Sequence, residues 1–109
     1  MSQTANTPKP PYYAVIFTSI RSDGDNGYAK MAEKMVALAG EQPGFLGMES
    51  AREDAGITVS YWKDLPSIEN WKNHTAHMAA RQKGKEIWYD SFQVRICRVE
   101  RAYEFNRET

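Results

Sequence analysis

The stretch from Ile57 to Trp71 predicts a strand followed at once by a helix, and this junction constrains the possible folds most strongly. Its first half, which ends at Trp62, consists largely of β-branched and aromatic residues without Gly or Pro, a composition typical of a strand. Its second half begins with Asp64 and Pro66, which are typical of a helix N-terminus, with Asp64 as the N-cap. A strand that ends in aromatic residues and turns directly into a helix predicts one corner of a pocket.

The flanking sequence predicts three more strands and one more helix. The predicted strands are Tyr12–Ser19, Phe45–Ala51, Ile57–Trp62 and Phe92–Phe105, and the predicted helices are Tyr28–Ala39 and about Leu65–Gln82. The charged turn at residues 52–56 predicts that the second and third strands are antiparallel neighbours. The order strand, helix, strand, strand, helix, strand is that of the ferredoxin-like βαββαβ pattern, an α+β fold.

Three local predictions concern the ends and irregularities of these elements. Gly40 is positioned to be the C-cap of the first helix. Gly47 predicts a bulge or a close backbone approach in the second strand. In the last strand the apolar alternation changes phase near Ile96 and Cys97, which a second bulge or burial on both faces would explain.

Both faces of the first predicted strand are apolar. Tyr12, Ala14 and Ile16 fall on one face, and Tyr13, Val15 and Phe17 on the other. Two helices can cover only one face of a four-stranded sheet. A second copy of the chain is the economical cover for the other face, so we predict a homodimer whose two sheets pack face to face.

Composition and charge narrow the classes of protein to consider. The 109 residues are enough for one domain with a modest core. Lys plus Arg equals Asp plus Glu, which argues against a nucleic-acid partner. The sequence shows no apolar run near the roughly 20 residues of a membrane span and no secretory signal, so we expect a cytoplasmic protein without a membrane partner. The single cysteine, Cys97, excludes an internal disulfide and a Cys-rich zinc site.

The two ends of the chain differ from the middle. Residues 1–11 are polar and contain Pro8, Pro10 and Pro11, so we predict a flexible N-terminal arm. The alternative is that this arm lies across a partner subunit. Residues 106–109 form a polar tail, which leaves residues 12–105 as the domain.

Two runs and several single residues match a known pattern. They are Gln42–Gly47, Gly56–Trp62, Trp71, His77, Gln82, Gly84, Trp88 and Tyr89. Together with the element order of residues 12–105, they make the chain resemble the antibiotic biosynthesis monooxygenase family, a branch of the dimeric α+β barrel superfamily. The resemblance implies a dimeric barrel and one of three activities: oxidation of phenols or anthrones by O2 without a cofactor, oxidation of quinols, or binding and degradation of haem.

The haem-degrading members use an Asn on the first strand, a Trp on the second helix and a His ten residues after that Trp. Trp71 matches the Trp, but Arg81 stands ten residues later, and the strand Tyr12–Ser19 contains no Asn. The resemblance therefore disfavours haem degradation.

A polar stripe on the second predicted helix supplies the candidate catalytic residues. Asn70, His74, His77 and Arg81 recur at i, i+4, i+7 and i+11. Because His ionises near neutral pH, His77 and His74 are the candidate bases for a phenol-like substrate. Arg81 is the candidate to stabilise the resulting anion. Such a stripe is also typical of a solvated helix face or of the rim of an interface.

Four aromatic residues, Tyr61, Trp62, Trp71 and Trp88, are predicted to stack on a planar small aromatic molecule. The alternatives are that Trp71 belongs to the core and that Trp88 contacts a second subunit. No Glu, Asp or Cys completes an obvious metal site with the two histidines, and no phosphate-binding loop or other cofactor motif is found.

The leading hypothesis is therefore a homodimeric monooxygenase that oxidises a small aromatic or quinol-like substrate without a bound cofactor, in a pocket between sheet and helices. The alternative is a non-catalytic ligand-binding or stress-response protein with the same barrel. A third hypothesis is a haem-binding protein.

Overall fold

The computed structural model describes residues 4–107, which contain four antiparallel strands and three helices. The strands are β1 (Tyr12–Arg21), β2 (Phe45–Arg52), β3 (Gly56–Trp62) and β4 (Tyr89–Val99), and the helices are α1 (Tyr28–Gly40), α2 (Leu65–Lys72) and α3 (Thr75–Lys83). A π-helical turn, Gly84–Trp88, joins α3 to β4. No helix of the described residues is long and apolar enough to cross a membrane.

The strands form one sheet in the order β2-β3-β1-β4, with every neighbouring pair antiparallel. This topology confirms the predicted ferredoxin-like α+β fold and the antiparallel pairing across residues 52–56. The pairing of β2 with β3 shifts register between Phe45 and Gly47, which confirms the irregularity predicted at Gly47.

The core lies between the sheet and the helices. It consists of Ala39 from α1, Trp62 from β3, and Ile68 and Trp71 from α2, with partly buried side chains around them. Tyr13 and Val15 of β1 pack against this core, so the odd-numbered residues of β1 point to the helices. We call this side of the sheet the helix face and the opposite side the second face.

The helix start predicted at Asp64 is confirmed. The Asp64 carboxylate accepts hydrogen bonds from the Ser67 backbone N–H at 2.9 Å and from the Ser67 hydroxyl at 2.6 Å. These bonds hold the pKa of Asp64 below its ordinary value. The first turn of α2 is thus fixed to the end of β3, and Trp71 is placed over Trp62.

The single helix predicted from Leu65 to Gln82 is wrong, because two helices occupy this stretch. His74 has an extended backbone conformation, with φ −62° and ψ 133°, which interrupts the helical hydrogen bonds. Its ring Nδ1 accepts a hydrogen bond from the Ala76 N–H at 3.2 Å and so serves as the N-cap of α3. The hydrogen bond accepted by the His74 side chain therefore starts a new helix, and the helical hydrogen bonds of α2 do not continue through this residue.

The last strand is shorter than predicted. Val99 pairs with Tyr12, the first residue of β1, so residues 100–105 have no strand beside them and are not part of the sheet. The bulge predicted near Ile96 and Cys97 is also wrong, because both residues pair with β1 in regular register. Burial on both faces is not observed either, since Phe92, Val94 and Ile96 on the helix face remain largely exposed.

Helix α1 continues through Gly40, and Glu41 follows it as the C-cap with a right-handed backbone. The prediction that Gly40 is the C-cap is therefore off by one residue. Residues 1–3 of the predicted arm and residues 108–109 of the predicted tail lie outside the described part of the chain.

Candidate functional site

The junction between α2 and α3 brings the predicted catalytic residues together around Trp71. His74, His77 and Arg81 all lie at this junction, although the helix that was predicted to carry them is broken. His77 stacks on Trp71 with the ring centroids 4.4 Å apart and the planes 9° apart. Trp71 in turn stacks on Trp62 at 6.5 Å. A ladder of three rings therefore runs from the sheet outwards.

His77 is held in one orientation and one tautomer. Its Nδ1 lies 2.9 Å from the backbone carbonyl oxygen of Trp71. Because a carbonyl oxygen can only accept, Nδ1 carries the proton, and Nε2 keeps a lone pair while the ring is neutral. The Trp71 contacts thus fix which ring nitrogen can take up a proton.

The surroundings of His77 favour its neutral form. Burial lowers the pKa of His77 below its ordinary value. The positive charge of Arg81 and the neighbouring His74 act in the same direction, while the hydrogen bond to Trp71 opposes them. A neutral imidazole with a lone pair on Nε2 is the form that a general base needs.

The other two predicted catalytic residues have structural contacts. His74 uses Nδ1 to cap α3. The Nη1 of Arg81 donates a hydrogen bond to the Lys72 carbonyl oxygen at 3.1 Å and so caps the C-terminus of α2. Asn70, the remaining residue of the predicted stripe, is exposed on α2. Of the two histidines, His77 is therefore the one whose lone pair is not used to begin a helix.

The aromatic residues predicted to bind substrate do not share one wall. Trp62 is fully buried and Trp71 is 9% exposed, and both belong to the ring ladder. Trp88 is buried elsewhere, where its Nε1 donates to the Asn26 carbonyl oxygen at 2.9 Å. Tyr61 follows the alternation of β3 onto the second face, so it does not border the same space as Trp62.

Two further side-chain clusters were not found in the sequence. On the helix face, Tyr28 contacts Trp88 and Tyr89 edge to face, and the Arg21 guanidinium lies 3.7 Å from the centre of the Tyr28 ring. On the second face, the Tyr61 hydroxyl donates to Glu49 at 2.6 Å. Burial, with help from Glu49, raises the pKa of Tyr61, so this hydroxyl stays protonated.

Only the second of these clusters left a signal in the sequence. Glu49 pairs with Val59 in the sheet, so Tyr61 is its diagonal neighbour, two residues further along β3. The register of one hairpin would have been enough to find this contact. The Tyr28 cluster joins residues about sixty positions apart, so no local sequence pattern predicts it.

Two open clefts among the described residues lie away from the ring ladder. One, of about 270 Å³, is formed by neighbouring residues of β1 and β4, and the other, of about 670 Å³, by residues 98–103. Neither is lined by Trp71 or His77. Ala80 is the only buried residue of α3, and the side chains of His77 and Arg81 add hydrogen bonds from this helix to backbone carbonyl oxygens of α2. Within residues 4–107, no group of three or more His, Cys, Asp or Glu residues could hold a metal ion.

The fold and the ring ladder place the chain among small ferredoxin-like α+β proteins with an aromatic site beside the second helix. The family model for antibiotic biosynthesis monooxygenases matches residues 11–83, and the chain belongs to this family. The resemblance in the sequence is thereby confirmed.

Individual relatives agree with this assignment. The chain is 51% identical to YqjZ of Bacillus subtilis strain 168, an uncharacterised protein, over 111 aligned residues that cover all of this chain and 97% of YqjZ. Protein SO0527 of Shewanella oneidensis has a similar structure, with a TM-score of 0.74 and 10% identity over 89% of this chain and 100% of that one.

SnoaB, a cofactor-independent oxygenase from Streptomyces nogalater, has a similar structure with a TM-score of 0.69. Its sequence is 10% identical over 92% of this chain and 97% of SnoaB. At these identities the structural likenesses show the fold alone.

Proposed function

We propose that this protein is a monooxygenase that oxidises a small aromatic or quinol-like molecule with O2 and without a bound cofactor. The observation that carries the proposal is His77, a partly buried imidazole whose Nδ1 is held by the Trp71 carbonyl oxygen. Membership of the antibiotic biosynthesis monooxygenase family supports the reaction class. The fold is shared with SnoaB, which is a cofactor-independent oxygenase.

The reaction begins with removal of a proton. A phenol, an anthrone or a quinol becomes an electron-rich anion when Nε2 of His77 accepts its acidic proton. The neutral form of His77 is required for this step, and burial together with the Arg81 charge keeps the ring neutral near pH 7. The same Arg81 charge attracts the anion once it has formed.

The remaining steps need only the substrate and O2. The anion transfers one electron to O2, and the two radicals combine to form a carbon–oxygen bond, which gives a hydroperoxide after protonation. For a CH2 substrate such as an anthrone, loss of water then leaves a carbonyl group. One oxygen atom enters the product and the other leaves as water, and the substrate supplies all four electrons.

The edge of Trp71 is the proposed contact surface for the substrate, because Trp62 covers one face of its ring and His77 the other. It is the outermost tryptophan of the ladder and contacts both His77 and Trp62. A planar ring that lies beside Trp71 would place its hydroxyl group near the imidazole. The substrate would reach this edge beside α3, while His77 keeps its contact with the Trp71 carbonyl oxygen.

We also propose that the functional unit is a homodimer. The second face of the sheet carries Ile16, Val59 and Ile57, and Ile57 is 47% exposed. An apolar sheet face of this kind is stable when another layer covers it. A second copy packed face to face would supply that layer.

The experiment that tests the proposed activity is oxygen uptake by metal-free protein with a panel of anthrones, quinols and catechols. We expect uptake above the rate without protein, and loss of that excess in His77→Gln, in which the amide can still donate to the Trp71 carbonyl oxygen but is not a base at neutral pH. The matched control is His74→Asn, which preserves an N-cap for α3 and should retain most of the activity.

Uptake that is unaffected in His77→Gln would contradict the role of His77. Binding of panel compounds without any uptake would favour the non-catalytic ligand-binding alternative.

A further inference from the structure

The described part of the N-terminal arm, residues 4–11, contacts the second face of its own subunit. The backbone N–H of Ala5 donates a hydrogen bond to Oε2 of Glu49 at 2.7 Å. The other carboxylate oxygen accepts from the Tyr61 hydroxyl at 2.6 Å. Further along the arm, Thr7 shares a hydrogen bond of 2.8 Å with the hydroxyl of Tyr12. The arm therefore contacts two strands, β1 and β2, through specific polar groups.

Gly47 lets the arm approach the sheet closely. A Cβ atom at Gly47 would lie 2.9 Å from the Cβ of Ala5, and its other contact within 4 Å is also with Ala5. Tyr12, beneath the arm, is only 4% exposed. The arm thus lies directly on the sheet as an extra layer, with no room for another chain between them.

A face-to-face dimer needs the same space. Two sheets that pack through their faces lie about 10 Å apart, and the side chains of both fill the gap. The arm, which contacts Gly47 on the edge strand β2, occupies part of that gap. The rest of the second face, including Ile57, Ile20 and Cys97, stays exposed and suitable for a partner.

We propose that the arm and a second copy of this chain compete for the part of the second face around Gly47, Glu49 and Tyr12, so that the docked arm weakens dimerisation and its release strengthens it. This inference rests on the homodimer of the proposed function. Pro8, Pro10 and Pro11 restrict the backbone next to Tyr12, so the arm can leave and return as a stiff segment. Glu49 is the docking residue, because its carboxylate binds the arm on one side and the sheet on the other.

The test is the dimer dissociation constant, measured by sedimentation over a concentration series for the full chain and two variants. Gly47→Ala keeps the whole chain but pushes Ala5 away, and a second variant lacks residues 2–9. We expect both to dimerise at least about tenfold more tightly, which corresponds to the loss of one charge-assisted hydrogen bond at the dock. Gly40→Ala is the matched control, because a Cβ there meets nothing within 4 Å and the dissociation constant should not change.

A second readout follows the arm itself. We expect the Ala5 amide of the full chain to exchange slowly with solvent and that of Gly47→Ala to exchange rapidly, as measured by NMR. Equal or weaker dimerisation in both variants would overturn the competition while leaving the homodimer intact. Monomers at every concentration in all variants would overturn the homodimer, and the competition with it, without bearing on the oxygenase activity.

Discussion

At the scale of single residues, the proposed chemistry depends on which polar groups are already engaged in structural hydrogen bonds. His74 and His77 are three positions apart and of the same type, yet one begins a helix and the other faces Trp71. The difference lies in the ring nitrogen that each uses: Nδ1 of His74 accepts a hydrogen bond, and Nδ1 of His77 donates one. Sequence can identify both residues as candidate bases, but only the structure separates their roles.

The lowered pKa of His77 predicts a pH effect on stability. The unfolded chain takes up a proton at this ring below about pH 6.5, whereas the folded chain does so only at lower pH. The contribution of His77 is therefore fully present above about pH 6.5 and is lost as the pH falls towards the folded pKa. We expect the wild type to lose more stability than His77→Gln between neutral and acidic pH, measured by urea unfolding. An identical loss in both proteins would show that His77 titrates normally.

Trp62 predicts the largest effect of a single substitution in the core. It is fully buried, stacks on Trp71 and contacts Phe45 edge to face. We expect Trp62→Ala to lower the free energy of unfolding by about 3–5 kcal/mol in denaturant titration. Tyr103→Ala is the control, because Tyr103 is 98% exposed, and its effect should stay within about 0.5 kcal/mol. A loss below about 1 kcal/mol for Trp62→Ala would mean that the core repacks.

At the scale of elements, strong periodicity and caps were predictable from the sequence. Asp64 and Pro66 locate the start of α2 because capping depends on residues only three apart. The break between α2 and α3 could not be predicted in the same way. It depends on His74, which is uncommon as an N-cap, and on Arg81, which reaches back nine residues to the Lys72 carbonyl oxygen.

The end of β4 and the separation of the aromatic residues have a different cause. Strand β4 stops where its partner β1 begins, so its length is set by Tyr12 rather than by its own sequence. Tyr61 and Trp62 are adjacent in the chain but lie on opposite faces of the sheet. The sequence pattern predicts one pocket wall for both Tyr61 and Trp62. Which face of the sheet is covered depends on the helices and on the arm, and these are distant from β3 in the sequence.

Alanine substitutions at two glycines of the helical segments should have opposite effects on stability. A Cβ at Gly84 would lie 3.0 Å and 3.1 Å from atoms of the Tyr89 ring, which Tyr28 and Phe17 hold in place. We expect Gly84→Ala to destabilise the protein by about 1–3 kcal/mol, as overpacking does. Gly40→Ala, in open space at the end of α1, should stabilise it by about 0.5 kcal/mol. Thermal unfolding of both variants checks the signs, and a stabilised Gly84→Ala would mean that the Tyr89 ring can move.

At the scale of the whole molecule, a single subunit is less compact than expected and leaves part of its sheet exposed. Its radius of gyration is 14.6 Å, larger than the roughly 13 Å expected for a compact chain of this length. Residues 100–107 lead away from the sheet and are exposed throughout. An extended tail and a partly open sheet face are features that a second subunit could cover.

Cys97 offers a direct probe of the proposed dimer. It pairs with Ala14 and therefore lies on the second face, where its thiol is exposed. We expect a thiol reagent to label Cys97 rapidly in dilute solution and more slowly as the protein concentration rises, with the urea-unfolded protein as the reference rate. A labelling rate that stays constant while the mass doubles would place the dimer contact on another surface.

Strand β4 also bears on how the protein behaves when concentrated. Within residues 4–107 this eleven-residue strand has β1 as its only neighbour, and Phe92, Val94 and Ile96 are exposed on the helix face. A long apolar edge of this kind can recruit identical strands into aggregates. Arg95 places a positive charge along the same edge, where it opposes a second copy that approaches edge to edge, whereas the charge of Arg98 is paired with Glu100. We therefore expect Arg95, which takes no part in the proposed chemistry, to protect this edge of the sheet against association.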